Sequence, residues 1–294
     1  MSWSTCYRFR FSSSAVVCLA LFYIVVFNGL SLYGLIKSTY TPVSLPVNRD
    51  RLYFAYMKYD RALWKCKKPH LSQTPLPLTA LASFPGSGNT WVRHILQQAT
   101  GILTGSIYND KVLKIMGFPG ENIQNSSVLV VKTHDYGRNE TQKYQKAILI
   151  LRNPKDALLA EFNRLRGGHI GFARKEDFTK KWKGFVTIKA KSWFELNKSW
   201  LDFPGDLHIL RYEDLKSDPI NEIKSLLKFL RINISQKELS CVIENLTGRF
   251  KRPERDVTNY TLYPSLLRQD LERYELRINR TVKQRHRQAN IPHS

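Results

Sequence analysis

The residues able to do chemistry fall into a few short polar clusters. In Ser83-Phe84-Pro85-Gly86-Ser87-Gly88-Asn89-Thr90-Trp91 an apolar run ends in a Gly-Ser-Gly turn, and a helix is predicted to start at once. Glycines let successive backbone N–H groups converge, and a helix N-terminus adds the positive end of a dipole. Ser87, Asn89 and Thr90 offer further donors, so the ligand such a turn suits is a phosphate or a related oxyanion; the same pattern also serves plain strand-to-helix turns. Lys132-Thr133-His134 offers a cation beside a potential general base, two residues apart and so on one face of a strand end. The other reading of that pair is a surface lysine and a packed or helix-capping histidine. In Arg152-Asn153-Pro154-Lys155-Asp156 a guanidinium leaves a buried strand where Pro154 suits the first turn of a helix, a good place for bidentate phosphate binding. Lys155 and Asp156 read as helix-end charges. Gly248-Arg249-Phe250-Lys251-Arg252-Pro253 either folds over a phosphate or is a solvated basic turn, and Tyr212 in Tyr212-Glu213-Asp214 could show an aromatic face to a base.

These clusters need a scaffold that brings them together. Apolar runs predict strands over 78–84, 128–132, 147–151 and 207–211. Helical periodicity predicts helices over 90–100, 154–166, 185–200, 220–230 and 236–246. Strands alternating with helices predict an α/β fold: a P-loop-like, mostly parallel sheet flanked by helices, over residues 78–294. Ligands of such sheets bind outside the carboxyl ends of the strands, where the first three clusters fall. The glycine-rich stretch Arg166-Gly167-Gly168-His169-Ile170-Gly171-Phe172 would make a lid over an acceptor.

The N-terminal part has a different character. Arg8 and Arg10 precede an apolar run from Phe11 to Ile36 that Lys37 closes. Residues 15–36 predict one transmembrane signal anchor, since a helix of about 22 residues covers the roughly 30 Å bilayer core. Residues 1–14 would be a cytoplasmic tail and 37–77 a proline-containing luminal stem. Asn-x-Ser/Thr sequons at Asn125, Asn139, Asn197, Asn233, Asn245, Asn259 and Asn279 all follow the anchor and fit a luminal glycoprotein. Beyond the anchor only Cys66 and Cys241 remain, either as a disulfide pinning the stem to the far end of the domain or as two buried thiols. The formal net charge of +22 asks for an anionic partner. A luminal placement leaves no role for nucleic acid and points to anionic nucleotides and acidic glycans. No cluster has convincing metal-ligand spacing.

Taken in order, the motifs resemble the sulfotransferases that use 3'-phosphoadenosine 5'-phosphosulfate. Residues 83–91 look like that family's 5'-phosphosulfate loop, 132–134 like the segment with the catalytic base, 151–156 like the 3'-phosphate motif, 211–215 like the segment near the adenine, and 248–253 like the basic closing loop. The wording Phe84-Pro85-Gly86-Ser87-Gly88-Asn89-Thr90-Trp91, with Ala160-Glu161-Phe162-Asn163-Arg164, is most similar to the WSCD (WSC-domain-containing) family, here without the Cys-rich WSC module. The resemblance implies a single-pass type II Golgi membrane enzyme that moves a sulfuryl group to a hydroxyl of an acidic or polyhydroxylated glycan. It implies His134 as base, with Lys132, Ser87 and the backbone of 86–90 holding the sulfuryl group. Arg152, Arg249, Lys251 and Arg252 would hold the 3'-phosphate, and Tyr212 and Trp91 would sandwich the adenine. Two positions depart from the family pattern. Gly86 stands where many members have Lys, and Ala160 where they have Ser, with Asn163 or Arg249 a possible substitute for the lost phosphate ligand. The departures keep open a non-catalytic protein with the same fold. A luminal glycan kinase is disfavoured, because Gly88-Asn89-Thr90 lacks the P-loop lysine.

Overall fold

Five short parallel strands carry the functional loops. The structure, a computed structural model, describes residues 64–253, 263 and 265–289. The predicted tail, the anchor 15–36, stem residues 37–63 and the sequon at Asn259 lie outside the described residues. Among the described residues no helix is long and apolar enough to cross a membrane.

The first strand, β1 (Thr79–Ser83), is buried at every position. Helix α1 (Asn89–Thr100) follows it, then β2 (Gly105–Ser106), α2 (Lys111–Ile115), β3 (Val131–Thr133), α3 (Arg138–Thr141) and β4 (Lys146–Leu151). Next come α4 (Pro154–Gly167), α5 (Lys175–Leu201), β5 (Asp206–Arg211), α6 (Tyr212–Ser217), α7 (Pro219–Phe229), α8 (Gln236–Glu244) and α9 (Ser265–Ala289). The sheet order is β2-β3-β1-β4-β5, all parallel, with Leu81 opposite both Lys132 and Ile148 and Ile150 opposite Leu210. A central strand covered on both faces wants an unbroken apolar run, which is what Ala80-Leu81-Ala82 and Ala147-Ile148-Leu149-Ile150 supply. Leu81, Ile148 and Ile150 share one core with Val92, Ile95 and Leu96 of α1 and with Leu226, Leu239 and Val242 of α7 and α8. Alternate residues point to the opposite face, where α5 packs on β1 and β4 with Trp193 and Trp200 fully buried.

Differences from the predicted elements have local causes. The run 128–132 shortens to β3 because Leu129 N–H bonds Leu103 O and Val130 O accepts from Gly105 N–H, so the ladder to β1 begins only at Val131. Two-residue β2 has no period to detect. Helix α5 starts ten residues early, in a charged first turn of Lys175, Glu176 and Asp177. Helix α9 escapes detection because Leu267, Leu271, Ile278 and Val282, its buried side, are diluted among charges.

Residues 64–77 lie along the domain. Cys66 and Cys241 form a disulfide (Cα–Cα 5.7 Å), His70 pairs with Ile102 in a parallel bridge, and Leu76 N–H donates to Ser126 O at 2.9 Å. The sequon at Asn197 requires correction: Asn197 is 1% exposed and its Nδ2 donates to Trp193 O at 2.8 Å, so the folded chain has no room for a glycan there. Asn125, Asn139 and Asn233 are exposed, whereas Asn245 Nδ2 bonds Cys241 O and Asn279 Oδ1 accepts from Arg211.

A buried ion pair ties α1 to the segment that walls the site. Arg93, fully buried, bonds Glu121 and donates to Thr104 Oγ1 (2.9 Å) and Thr104 O (3.1 Å), and Glu121 Oε2 accepts the Asp110 N–H (3.3 Å). Removing one partner leaves an uncompensated buried charge. Glu121→Ala is therefore expected to cost about 3–5 kcal/mol in urea unfolding, and the double change Arg93→Met with Glu121→Leu to recover most of it.

Candidate active site

A cavity of about 890 Å3 opens at the carboxyl ends of β1, β3 and β4. Its floor is the turn after β1. Gly86 and Gly88 have φ of 84° and 94°, a region that favours glycine. A Cβ at Gly86 would stand 2.5 Å from Ala157 O, and one at Gly88 would stand 2.7 Å from the Tyr212 ring. Helix α1 then starts with Gly88 as its cap and no capping side chain, so its first amides have no partner within the helix and face an anion seat. Arg152 closes the seat from β4. Its Nη1 donates to Gly86 O at 2.7 Å, its guanidinium lies 4.0 Å over the Tyr212 ring, and its buried Nε makes no hydrogen bond among the described residues.

The other end of the cavity is built on Ser83, the last residue of β1. His134 Nδ1 lies 2.8 Å from Ser83 O. A carbonyl only accepts, so Nδ1 carries the proton and Nε2 presents its lone pair. Burial, then the nearby Lys132 ammonium, lower the His134 pKa to about 3, which keeps the ring neutral. Lys132 is 7% exposed, and burial followed by the Arg93 charge lowers its pKa to about 8. Tyr108 holds both groups. Its hydroxyl donates to Asp135 Oδ1 (2.9 Å) and accepts the His134 N–H (3.0 Å), its ring stacks on the imidazole, and Lys132 Nζ stands 5.5 Å from the ring centroid. Asn89 ties the anion seat to the same strand end, donating from Nδ2 to Leu81 O (2.9 Å) and Ser83 Oγ (3.2 Å).

Most of the predicted residues converge. Pro85, Gly86, Gly88, Asn89, Thr90 and Trp91 line the cavity with Lys132 and His134, as do Arg152, Tyr212, Lys251 and Arg252. Four expectations change. Ser87 is 1% exposed and off the lining, its N–H donates to Phe84 O at 3.2 Å, and its buried Oγ has no hydrogen-bond partner among the described residues. Arg249 is exposed and off the lining too. Asn163 is buried with its Oδ1 on Ala173 N–H, so neither residue replaces the missing serine at Ala160. Trp91 and Tyr212 do not form a sandwich. Their rings meet edge to face at 5.5 Å, and Trp91 Nε1 is anchored on Leu246 O, so a base has no slot between them.

On the wall facing His134, Tyr108, Asn109 and Asp110 were not marked by any pattern. Tyr108, Asn109 and Asp110 follow two-residue β2, and Arg164 lies on α4. Arg164 is held by two bonds to the Glu161 carboxylate (2.6 and 2.7 Å). Arg164 closes the stretch 160–164 whose wording carries the family resemblance, but no role at the site was read for it. The glycine-rich loop meets this wall through His169 Nε2 and Asp110 Oδ2 (2.8 Å). It meets the basic loop through Arg252, which donates to the Gly168 and His169 carbonyls (3.4 and 3.3 Å).

Such a site can hold a polyanion at one end and take a proton from a hydroxyl at the other. Residues 77–277 match the Sulfotransferase domain family. The chain is 44% identical over 233 residues to WSCD family member CG9164 of Drosophila melanogaster, covering 77% of this chain and 73% of that protein. It is 48% identical over 183 residues to WSCD family member AAEL009094 of Aedes aegypti, covering 60% of this chain and 58% of that protein. Among solved structures it is similar to mouse sulfotransferase SULT7A1 complexed with PAP, at 24% identity and TM-score 0.45 over 58% of this chain and 63% of that one. The chain belongs to the sulfotransferase-domain family, in its WSCD group.

Two outcomes follow from the geometry. Gly86→Ala forces a Cβ against Ala157 O in a backbone region alanine rarely adopts. The variant is expected to bind 3'-phosphoadenosine 5'-phosphate at least about tenfold more weakly while keeping its circular dichroism, since strain of this kind costs about 1–3 kcal/mol. Lys132 supplies a pH signature. An anion bound beside it favours the ammonium and raises its pKa above the free protein's value of about 8. Binding near pH 8.5 should therefore take up a proton, and affinity should fall as pH rises through that pKa. Calorimetry in buffers of different ionisation heat reads the uptake, which Lys132→Gln should abolish.

Proposed function

We propose that this protein transfers a sulfuryl group from 3'-phosphoadenosine 5'-phosphosulfate to a hydroxyl of a glycoconjugate, as a type II membrane enzyme of the Golgi. The observation that carries the reading is the neutral His134, held by Nδ1 on Ser83 O and lining the cavity beside Lys132 and the first amides of α1. The cavity suits the donor. The glycine cradle leaves room for an anion against the α1 amides, and Arg152, Lys251 and Arg252 gather positive charge where a further phosphate would lie.

In this mechanism His134 Nε2 takes the proton of the acceptor hydroxyl as the hydroxyl oxygen bonds to sulfur and the bond from sulfur to the 5'-phosphate oxygen breaks. The Lys132 ammonium and the first amides of α1 hold the charge that collects on the departing phosphate. The donor's own negative charge lifts the His134 pKa from its low value in the free protein, so the base strengthens once the donor is in place. Tyr108, Asn109, Asp110 and His169 line the acceptor side with hydroxyl, amide, carboxylate and imidazole groups that suit a sugar. The apolar stretch 15–36 and the exposed sequons at Asn125, Asn139 and Asn233 support the luminal placement.

The test uses the full chain in detergent, measuring binding of 3'-phosphoadenosine 5'-phosphate and sulfate transfer to a panel of glycans. His134→Ala should bind within a few-fold of wild type and transfer about 10²–10⁴-fold more slowly. Arg152→Ala should lose more than about tenfold in affinity, the loss expected when a charge-assisted pair is removed. A folded wild type that binds no nucleotide, or a His134→Ala variant that transfers at the wild-type rate, would sink the reading.

A further inference from the structure

The cavity uses only part of the positive charge. A second concavity, about 300 Å3, runs along the outer face of α9 and is lined by Gln269, Glu272, Arg273, Leu276, Arg277 and Arg280. The helical period puts positions 273, 277, 280, 284 and 287 on one face, while Leu267, Leu271, Ile278 and Val282 are buried on the other. The first half of α9 balances its charge. Asp270 pairs with Arg273, Glu272 with Lys155 (3.0 Å), and Glu275 accepts from Asn153 (3.1 Å). The second half does not. From Leu276 to Ala289 there is no acidic residue. Arg285 turns inward to the carbonyls of Leu201 and Phe203, but Arg277, Arg280, Lys283 and Arg287 are exposed and make no ion pair with a described residue. Arg277 is held flat against Phe194, its guanidinium 4.3 Å from the ring centroid.

This arrangement works against the helix. Arg273–Arg277 and Lys283–Arg287 are like-charge neighbours four apart, and Arg277–Arg280 and Arg280–Lys283 three apart, each a repulsive spacing. The helix dipole favours cations only in the last turn, which accounts for Arg287 and not for Arg273, Arg277 or Arg280. The repulsion is relieved by an external counter-charge that spans the row, about 21 Å from Arg273 to Arg287 at 1.5 Å per residue.

We propose that the outer face of α9 docks an anionic glycan chain, at a surface separate from the nucleotide cavity and whatever reaction that cavity performs. Arginine forks match carboxylate and sulfate groups bidentately. Leu276, Gln269 and Gln284 lie among them to meet sugar rings and hydroxyls. Other polyanionic partners fit less well. Among the described residues that line this face none is aromatic, and Tyr274 beside it is stacked on Phe194. The exposed Leu266 and Leu276 are ten residues apart and make no apolar face for a membrane.

The test is binding of a size-defined heparin decasaccharide to the full chain in detergent, across a salt series and with and without 3'-phosphoadenosine 5'-phosphate. Wild type should bind with an affinity that falls steeply with salt and is unaffected by the nucleotide. The variant R277Q/R280Q/K283Q/R287Q should bind at least about tenfold more weakly with a shallower salt slope, as expected when counterion-releasing contacts are lost. Its melting temperature should not drop, because like-charge repulsion is removed. An unchanged affinity and slope in the variant would overturn the proposal. So would displacement of the decasaccharide by the nucleotide, which puts the chain in the cavity, or stronger binding to phosphatidylserine vesicles than to the decasaccharide. Failure of nucleotide binding alone bears on the proposed reaction and leaves this comparison intact.

Discussion

The carboxyl end of β1 is the point on which both halves of the site hang. Ser83 is buried between two loops; its carbonyl receives His134 Nδ1–H at 2.8 Å and its hydroxyl receives Asn89 Nδ2 at 3.2 Å. One residue thus fixes the tautomer of His134 and the start of α1. Both bonds depend on register. Ala82 stands opposite Thr133 in the β1–β3 ladder, which delivers His134 to the level of Ser83. Beyond it, Thr133 Oγ1 accepts the Asp135 N–H (3.0 Å) and Trp200 Nε1 bonds Asp135 O (3.0 Å), so the chain leaving His134 is held from the α5 side as well. A slip of one residue in β3 would turn His134 to the other face of the sheet.

Charge is the second constraint. Burial lowers the pKa of Lys132 and of Arg252, and neighbouring cations add to it: Arg93 acts on Lys132, while Arg152 and Arg164 act on Arg252. The fold offsets this with buried carboxylates behind the wall, Glu121 on Arg93 and Glu161 on Arg164. What is left facing the cavity is an excess of positive charge in a low-dielectric setting, where a bound anion is worth more than at the surface. The same logic separates the cavity from α9, whose charges stand in water and are screened by salt.

The sequence made the strand ends legible because each carries a local rule. Gly86 and Gly88 mark positive φ, Pro154 marks a helix start, and Lys132 and His134 share a face by the two-residue period. It did not reveal which side chains turn inward. Ser87 sits between two glycines that face the cavity and points away, a direction set by the turn and not by residue type. Trp91 and Tyr212 were read as two walls of a slot, yet tertiary packing presses them edge to face, since Leu246 O captures Trp91 Nε1. Tyr108 was invisible because β2 is too short for a period, and its role depends on contacts with residues 26 and 27 positions away.

The basic loop illustrates how a solvent-exposed segment is brought under the control of the core. It leaves α8, and its first residues are tied to α1: His94 Nε2 lies 2.9 Å from Asn245 O and Trp91 Nε1 lies 2.8 Å from Leu246 O. Asn245 is in turn held by Cys241 O, one turn back on the helix that the Cys66 disulfide fastens to residues 64–77. Phe250 then packs against His94 and Phe118, so Lys251 and Arg252 leave a fixed aromatic base and arrive at the cavity rim. Long cationic side chains lose much entropy when ordered. Fixing the backbone beneath them in advance reduces what an anion must supply on binding, and the anion seat of α1 and the loop above it are fixed by the same helix.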